Sequence, residues 1–433
     1  MSKYVSVAIV LLFTHVQAQP AWADNVATRW IVHTFDAVRG GTPAAHTSTP
    51  GAGRVYAMVT TAMYDAVNGI DVADGRSTRA HALVFSQAAP AGGEPRAAAA
   101  AAAHAVLVAL FPSRQPALDA ALASELAMLD DSDGSVTAGS NWGRFVGEQV
   151  LDLRDPDGTQ MAESQPGGTG PGVFPRTFSG TQFRNMTPFG VASIAPYASS
   201  GPPPLSSARY AADFNEVKRI GSATDTNAER AAIARHWLAE GGTVRETGLW
   251  FKAALNIVED QGTMNSLSDT VRLFALLGMA IADSVATSWT DKYGFQYWRP
   301  GDAIRNASTD GNPATAEDSA WNPRAGVCPA PGHCSAFGGT PEHTSGTSTF
   351  AGAASTILAG FYCSDHVAFS FAGEQTGSPA RSYGGLKEAA KEAGRSRIYG
   401  GIHFEFSNVA GREAGKGIAN EILRTRLGGT QCQ

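Results

Sequence analysis

The segment Thr270 to Thr290 constrains this chain most, because it is apolar nearly all round. A helix without a polar face has to be enclosed by neighbours, which places this one at the centre of a bundle. Ser268 or Asp269 is available to cap its start. Other segments are helical by the same criterion. Phe350, Ala353, Ala354, Ile357, Leu358 and Phe361 follow the i, i+3, i+4, i+7 spacing, and Arg54 to Val67, Ala97 to Leu110 and Asn408 to Leu427 carry similar apolar stripes. Strand alternation is almost absent, so the fold class expected is all-α, a helical bundle with long irregular loops. Asp283, inside the central segment, is either a satisfied packing group or support for a nearby cation.

The 433 residues, 43% of them hydrophobic and 17% charged, supply a large core and exclude a disordered chain. Lys plus Arg number 33 against 39 Asp plus Glu, with no basic run suited to a phosphate backbone, so no nucleic-acid partner is expected. Residues 1–23 read as an export signal. Lys3 gives a positive start, Val5 to Phe13 is too short to span a bilayer, and Val16-Gln17-Ala18 or Ala21-Trp22-Ala23 offers a cleavage site. No later segment reaches the roughly 18 unbroken apolar residues of a membrane span, and a secreted or periplasmic location follows. The remainder divides into an N-terminal helical region (24–155), a Gly/Pro-rich loop (156–207) and a C-terminal helical region (208–433). The loop's Gly167-Gly168-Thr169-Gly170-Pro171-Gly172 follows no strand, so it is not a dinucleotide-binding turn. Four cysteines, Cys328, Cys334, Cys363 and Cys432, fit two disulfides in an exported protein. Cys328 with Cys334 and Cys363 with Cys432 is the favoured of three pairings. A metal site on Cys328, His333 and Cys334 lacks the second ligand pair such sites use.

The chemistry lies between Lys292 and His403. In the first block, Lys292 and Arg299 stand seven residues apart, two turns if helical, and Pro300 disfavours helix at Arg299. In the second, Thr344 or Ser345 caps the apolar helix that follows, and the N–H groups of its first turn form an anion site. In the third, Gly400-Gly401 breaks a helix so that Arg397 and His403 converge. Each block alone has an ordinary structural explanation. Together, Lys292, Arg299 and Arg397 suit a tetrahedral oxyanion, Ser345 and Gly346 add neutral donors, and a neutral His403 offers a nitrogen to the central atom.

These blocks, in this order, resemble the vanadium-dependent haloperoxidase and type 2 phosphatidic acid phosphatase superfamily, whose pattern is Lys-x6-Arg-Pro, Pro-Ser-Gly-His and Ser-Arg-x5-His-x3-Asp. Lys292, Arg299 and Pro300 match the first, and Ser396, Arg397 and His403 match the third. Ala57 to Ile70, with Tyr64-Asp65-Ala66-Val67-Asn68, and Asp213 to Gly221, with Glu216-Val217-Lys218, are similar to the secreted bacterial haloperoxidase-like branch. The resemblance implies a helical bundle around an oxyanion pocket. It implies vanadate, or phosphate, held by Lys292, Arg299, Ser345, Gly346 and Arg397, with His403 bound to vanadium or attacking phosphorus. Hydrogen peroxide and a halide, or a small phosphate ester, are the implied substrates.

Two positions depart from the pattern. The second block reads Thr344-Ser345-Gly346-Thr347, and threonine cannot do the acid/base work the resemblance assigns to histidine there. Ser407 stands where the final Asp is expected, leaving Glu405 or a backbone carbonyl to orient His403. His343, four residues before Thr347, is the candidate for the lost proton chemistry if its loop turns inward. The expected activity is a vanadium-dependent haloperoxidase. An exported acid phosphatase using a phosphohistidine, and a weakly active oxyanion-binding protein, are the alternatives. The oligomeric state is not legible.

Overall fold

The computed structural model describes residues 25–84, 87–326, 339–375 and 377–428. Its fourteen α-helices are, in order, α1 Val26–Gly40, α2 Ala44–Thr47, α3 Thr49–Ala73, α4 Pro95–Leu110, α5 Gln115–Ala127, α6 Ser135–Leu153, α7 Ala208–Ile220, α8 Ala228–His236, α9 Arg245–Asp260, α10 Leu267–Phe295, α11 Pro300–Arg305, α12 Gly346–Tyr362, α13 Leu386–Tyr399 and α14 Glu405–Thr425. Two small antiparallel pairs complete them, β1 Ser164–Gln165 with β2 Phe178–Ser179 and β3 Phe369–Ala372 with β4 Ala380–Tyr383. Sequence periodicity does not single out these strands, since at two to four residues each is shorter than the window in which alternation is readable.

The apolar segment becomes α10, which packs against α3, α12, α14 and α9 and is buried from Thr270 to Trp289. It is long and apolar enough to cross a membrane, yet that stretch is enclosed by protein. Its cap lies upstream of the expected one. Ser266 accepts the Asp269 N–H at 3.2 Å, so the helix begins at Leu267. Asp283, fully buried, accepts the N–H groups of Phe189, Gly190 and Val191 at 2.6, 2.8 and 2.9 Å. It is thus a satisfied packing group that clamps a loop to the central helix.

Helices of the N- and C-terminal regions share one apolar core. A smaller cluster of Tyr210, Phe214, Trp298, Ile398 and Phe404 lies beside it. Glycine lets α12 and α14 come into backbone contact, for a Cβ on Gly415 would stand 2.0 Å from the Thr349 carbonyl oxygen. The 156–207 segment lies against the helices as a wall. Asp157 accepts Arg54 Nε at 2.7 Å and Arg154 Nε at 3.2 Å, and Arg176 grips Asp302 of α11 with two bonds of 2.7 and 2.8 Å.

Cys363 is disulfide-bonded. The export signal (1–23), Cys328, His333, Cys334 and Cys432 lie outside the described residues.

Candidate active site

Lys292 stands in the last turn of α10, three residues before the helix closes on Gln296 in a left-handed conformation (φ 45°). Arg299 does not continue that helix, as two-turn spacing would have it. It is an extended residue (φ −79°, ψ 160°) before Pro300, the first residue of α11. Arg397 occupies the last turn of α13, and Gly401, at φ 75°, turns the chain so that His403 returns to it. A Cβ at Gly401 would stand 2.4 Å from the Gly221 carbonyl oxygen, so only glycine fits this turn. Ser345 caps α12, and Gly346 and Thr347 follow in its first turn.

Lys292, Arg299, Gly346, Thr347, Arg397 and His403 line one cavity of about 750 Å³. Trp289, Phe183, Leu238 and Phe350 give it apolar walls, and Ala162, Ser179, Gly180 and Gln182 bring the long loop into its lining. Arg299 Nη1 donates to His403 Nε2 at 2.9 Å and to the Ile402 carbonyl at 2.7 Å, while Nε donates to the Thr340 carbonyl at 2.7 Å. Lys292 Nζ donates to the carbonyls of Pro341 and Glu342 at 2.6 and 3.2 Å. Arg397 reaches the Trp237 carbonyl at 3.2 Å, but its buried Nε has no partner among the described residues. All three cations are at least 94% buried, and none has a carboxylate within ion-pair distance among the described residues.

Glu342, fully buried, organises the far side of His403. Its Oε1 accepts His403 Nδ1 at 2.9 Å and the Phe404 N–H at 3.0 Å. Because Arg299 can only donate, Nε2 must be the acceptor, which leaves the proton on Nδ1 facing Glu342. Burial, reinforced by Arg299, Lys292 and Arg397, holds His403 well below the usual imidazole range, so the ring is neutral with a lone pair on Nε2. Burial also pushes Lys292 well below the usual ammonium range, Arg299 down to about 10 and Glu342 up to about 7.

Several expected residues are placed elsewhere. Ser345 does not line the cavity, since its Oγ accepts the Ser348 N–H at 3.4 Å and its hydroxyl at 2.8 Å. His343 does not line it either. Its ring packs between Phe295 and Phe406, Nε2 meets Ser199 Oγ at 2.7 Å, and burial takes it down to about 3. Glu405 faces away, bound by Arg395 at 2.8 Å. Ser407 bonds backbone on both sides: its hydroxyl reaches the Glu342 carbonyl at 3.4 Å, and its own carbonyl accepts the Ser345 N–H at 3.5 Å. Glu342 itself escapes sequence reasoning because its partner is 61 positions away. The one local signal is a carboxylate set between Pro341 and His343, in a stretch with little else to solvate it.

Residues 272–427 match the family described as the VCPO second helical-bundle domain. Among solved structures, the chain is similar to the first bacterial vanadium-dependent iodoperoxidase, at 21% identity and a TM-score of 0.71, covering 95% of this chain and 97% of that one. It is also similar to a bacterial vanadium-dependent chloroperoxidase. The holo form has 16% identity and a TM-score of 0.63, covering 89% of this chain and 94% of that one. The apo form has 16% identity and a TM-score of 0.64, covering 86% and 92%. These likenesses establish the fold. No curated protein matches the chain.

Proposed function

We propose, from a chain whose residues 272–427 match the VCPO second helical-bundle domain and whose fold is similar to that of bacterial vanadium haloperoxidases, that this protein binds vanadate and uses hydrogen peroxide to oxidise a halide. One observation carries the reading: three buried cations, with no paired carboxylate among the described residues, share a cavity with a neutral imidazole nitrogen. A buried charge left unpaired costs several kcal/mol, roughly, so such a cluster calls for an anion. The donor set fits a tetrahedral oxyanion. Lys292, Arg299 and Arg397 would hold its oxygens together with the first-turn N–H groups of Gly346 and Thr347, and His403 Nε2, on exchanging its bond from Arg299, would meet the central atom. Bound vanadate supplies the electrophilic centre that activates hydrogen peroxide toward halide.

The protein's own part is preorganisation. Glu342 fixes the tautomer and orientation of His403, so that Nε2 needs no deprotonation. Trp289, Phe183 and Phe350 give the cradle apolar walls, and the lower local dielectric beside them strengthens charge contacts. Export belongs to the same proposal, supported by the composition of residues 1–23 and by the disulfide at Cys363, which suits an oxidising compartment.

The test is the purified full chain, with and without vanadate, assayed for iodide, bromide and chloride oxidation by peroxide and for phosphate-ester hydrolysis. Halide oxidation that requires vanadate and is suppressed by phosphate is expected. Ester hydrolysis inhibited by vanadate, without halide oxidation, would make the protein an acid phosphatase. Tight oxyanion binding with neither activity would make it a binding protein.

A further inference from the structure

Proton transfer is the function the cradle lacks. Arg299 and Arg397 stay charged at working pH, Lys292 donates to two carbonyls, and the Nδ1 proton of His403 is committed to Glu342. Thr347, which lines the cavity, has a hydroxyl too weakly acidic and too weakly basic to serve as a general acid or base near neutrality. Hydrogen peroxide must nonetheless shed a proton as it attaches to an oxyanion centre, and the hydroxide it displaces must gain one. A positioned base accelerates both events.

Among the described residues, two carboxylates line the cavity, Glu240 and Glu246. Burial depresses the Arg397 guanidinium, and the charges of Glu246 and Glu240 partly offset that, so both act on the same cation that borders the cradle. They differ in how they are held. Glu240 is exposed on the loop before α9, and no hydrogen bond holds its carboxylate among the described residues. Glu246 is half-buried in the first turn of α9, whose start is set by Arg245 at φ 63°. Thr49 Oγ1 donates to its Oε2 at 2.9 Å, while Oε1 carries no hydrogen bond among the described residues. One oxygen is anchored to Thr49, the other is uncommitted among the described residues, and both side chains belong to the cavity lining.

We propose that Glu246 is the general base of this site. Resting on the haloperoxidase reading, its carboxylate takes the O–H proton of incoming hydrogen peroxide and returns it to the departing hydroxide, which leaves as water. One O–H bond breaks, one forms, and no electron is gained or lost. The missing imidazole at Thr347 is thereby replaced from another helix.

The experiment uses the full chain, loaded with vanadate for rates and anion-free with inorganic phosphate for binding. Glu246→Gln keeps the volume and the Thr49 contact. Its peroxide-dependent turnover should fall about 10²- to 10⁴-fold, the usual loss for a general base. Its phosphate affinity should rise severalfold, because a negative charge beside Arg397 is gone. A merely structural role would lower both. Thr347→His in the E246Q background should recover at least about tenfold of the rate, and no recovery would count against a proton-transfer defect. Glu240→Gln removes a charge that acts on the same cation but no anchored carboxylate, so it should lose at least about tenfold less rate than E246Q. Three results would overturn the assignment: E246Q turnover within threefold of wild type, equal losses in E240Q and E246Q, or phosphate bound no more tightly by E246Q. The phosphate result tests whether Glu246 sets its charge at the cradle whichever chemistry the wild type performs, the Thr347→His recovery tests proton transfer, and the wild-type rate alone decides the haloperoxidase reading.

Discussion

Replacing Glu342 by Gln separates two effects that the site combines. The carboxylate lends its charge to His403 through the 2.9 Å bond at Nδ1, and it also sets a negative charge inside a cradle built for anions. Gln keeps an oxygen for Nδ1 and the Phe404 N–H, but it puts an NH₂ group where Oε2 now has no partner among the described residues. Losing charge assistance on one hydrogen bond is worth about 1–2 kcal/mol. Removing a unit charge about 6 Å from a bound anion is worth about 3 kcal/mol in the anion's favour, at an effective dielectric near 20. The second effect is the larger and acts equally on vanadate and phosphate. The first acts on vanadate alone, which depends on the basicity of Nε2 for its bond. E342Q should therefore change the absolute affinities in a direction set by charge, while the preference for vanadate over phosphate drops about 5- to 30-fold, the 1–2 kcal/mol of the first effect. Paired titrations of wild type and variant with both anions at pH 8, where wild-type Glu342 is ionised, measure that ratio. An unchanged ratio would show that Glu342 does not support the imidazole.

Arg397→Met should stabilise the anion-free protein by about 1–4 kcal/mol, since it removes a buried cation with no ion-pair partner among the described residues, and should abolish the melting shift caused by phosphate; thermal scans with and without phosphate read both. Asp283→Asn should destabilise by about 2–4 kcal/mol in urea unfolding, because whichever way the amide turns, its NH₂ replaces an acceptor and faces at least the Phe189 N–H donor to donor. Burial alone would raise Glu374, yet bonds from Arg39 and Lys252 hold it at about 2. Its folded state keeps the carboxylate charged below the unfolded range, so its contribution is complete above about pH 4.5 and is lost as pH falls toward 2. Glu374→Gln should accordingly flatten the acid limb of the stability curve between those values by about 2 kcal/mol after solvent screening, as read from denaturant midpoints.

Much of this protein is legible in short windows of its sequence. The all-round apolar character of Thr270 to Thr290 demands a central helix, because helical periodicity is a property of neighbours in the chain. Fixed spacing does the same for Lys292 with Arg299 and for Arg397 with His403. In each pair a helix end and a following turn carry both residues to one cavity. Even the break at Gly400-Gly401 is local, since it rests on a backbone conformation that glycine permits.

Other features were decided only when distant segments met. Whether a histidine faces a cavity depends on what packs on both sides of its ring, and Phe295 and Phe406 bury His343. Which carboxylate stands behind His403 depends on a loop 61 positions earlier, where Glu342 does what Ser407 cannot. The Gly/Pro-rich 156–207 segment became a wall of the site through pairs such as Arg176 with Asp302, 126 positions apart. Hydrogen bonds and ion pairs act over a few ångströms of space and are indifferent to chain distance. The sequence by itself therefore determined the helices and the cation-binding spacings, and tertiary packing alone chose the partners that set their charge and aim.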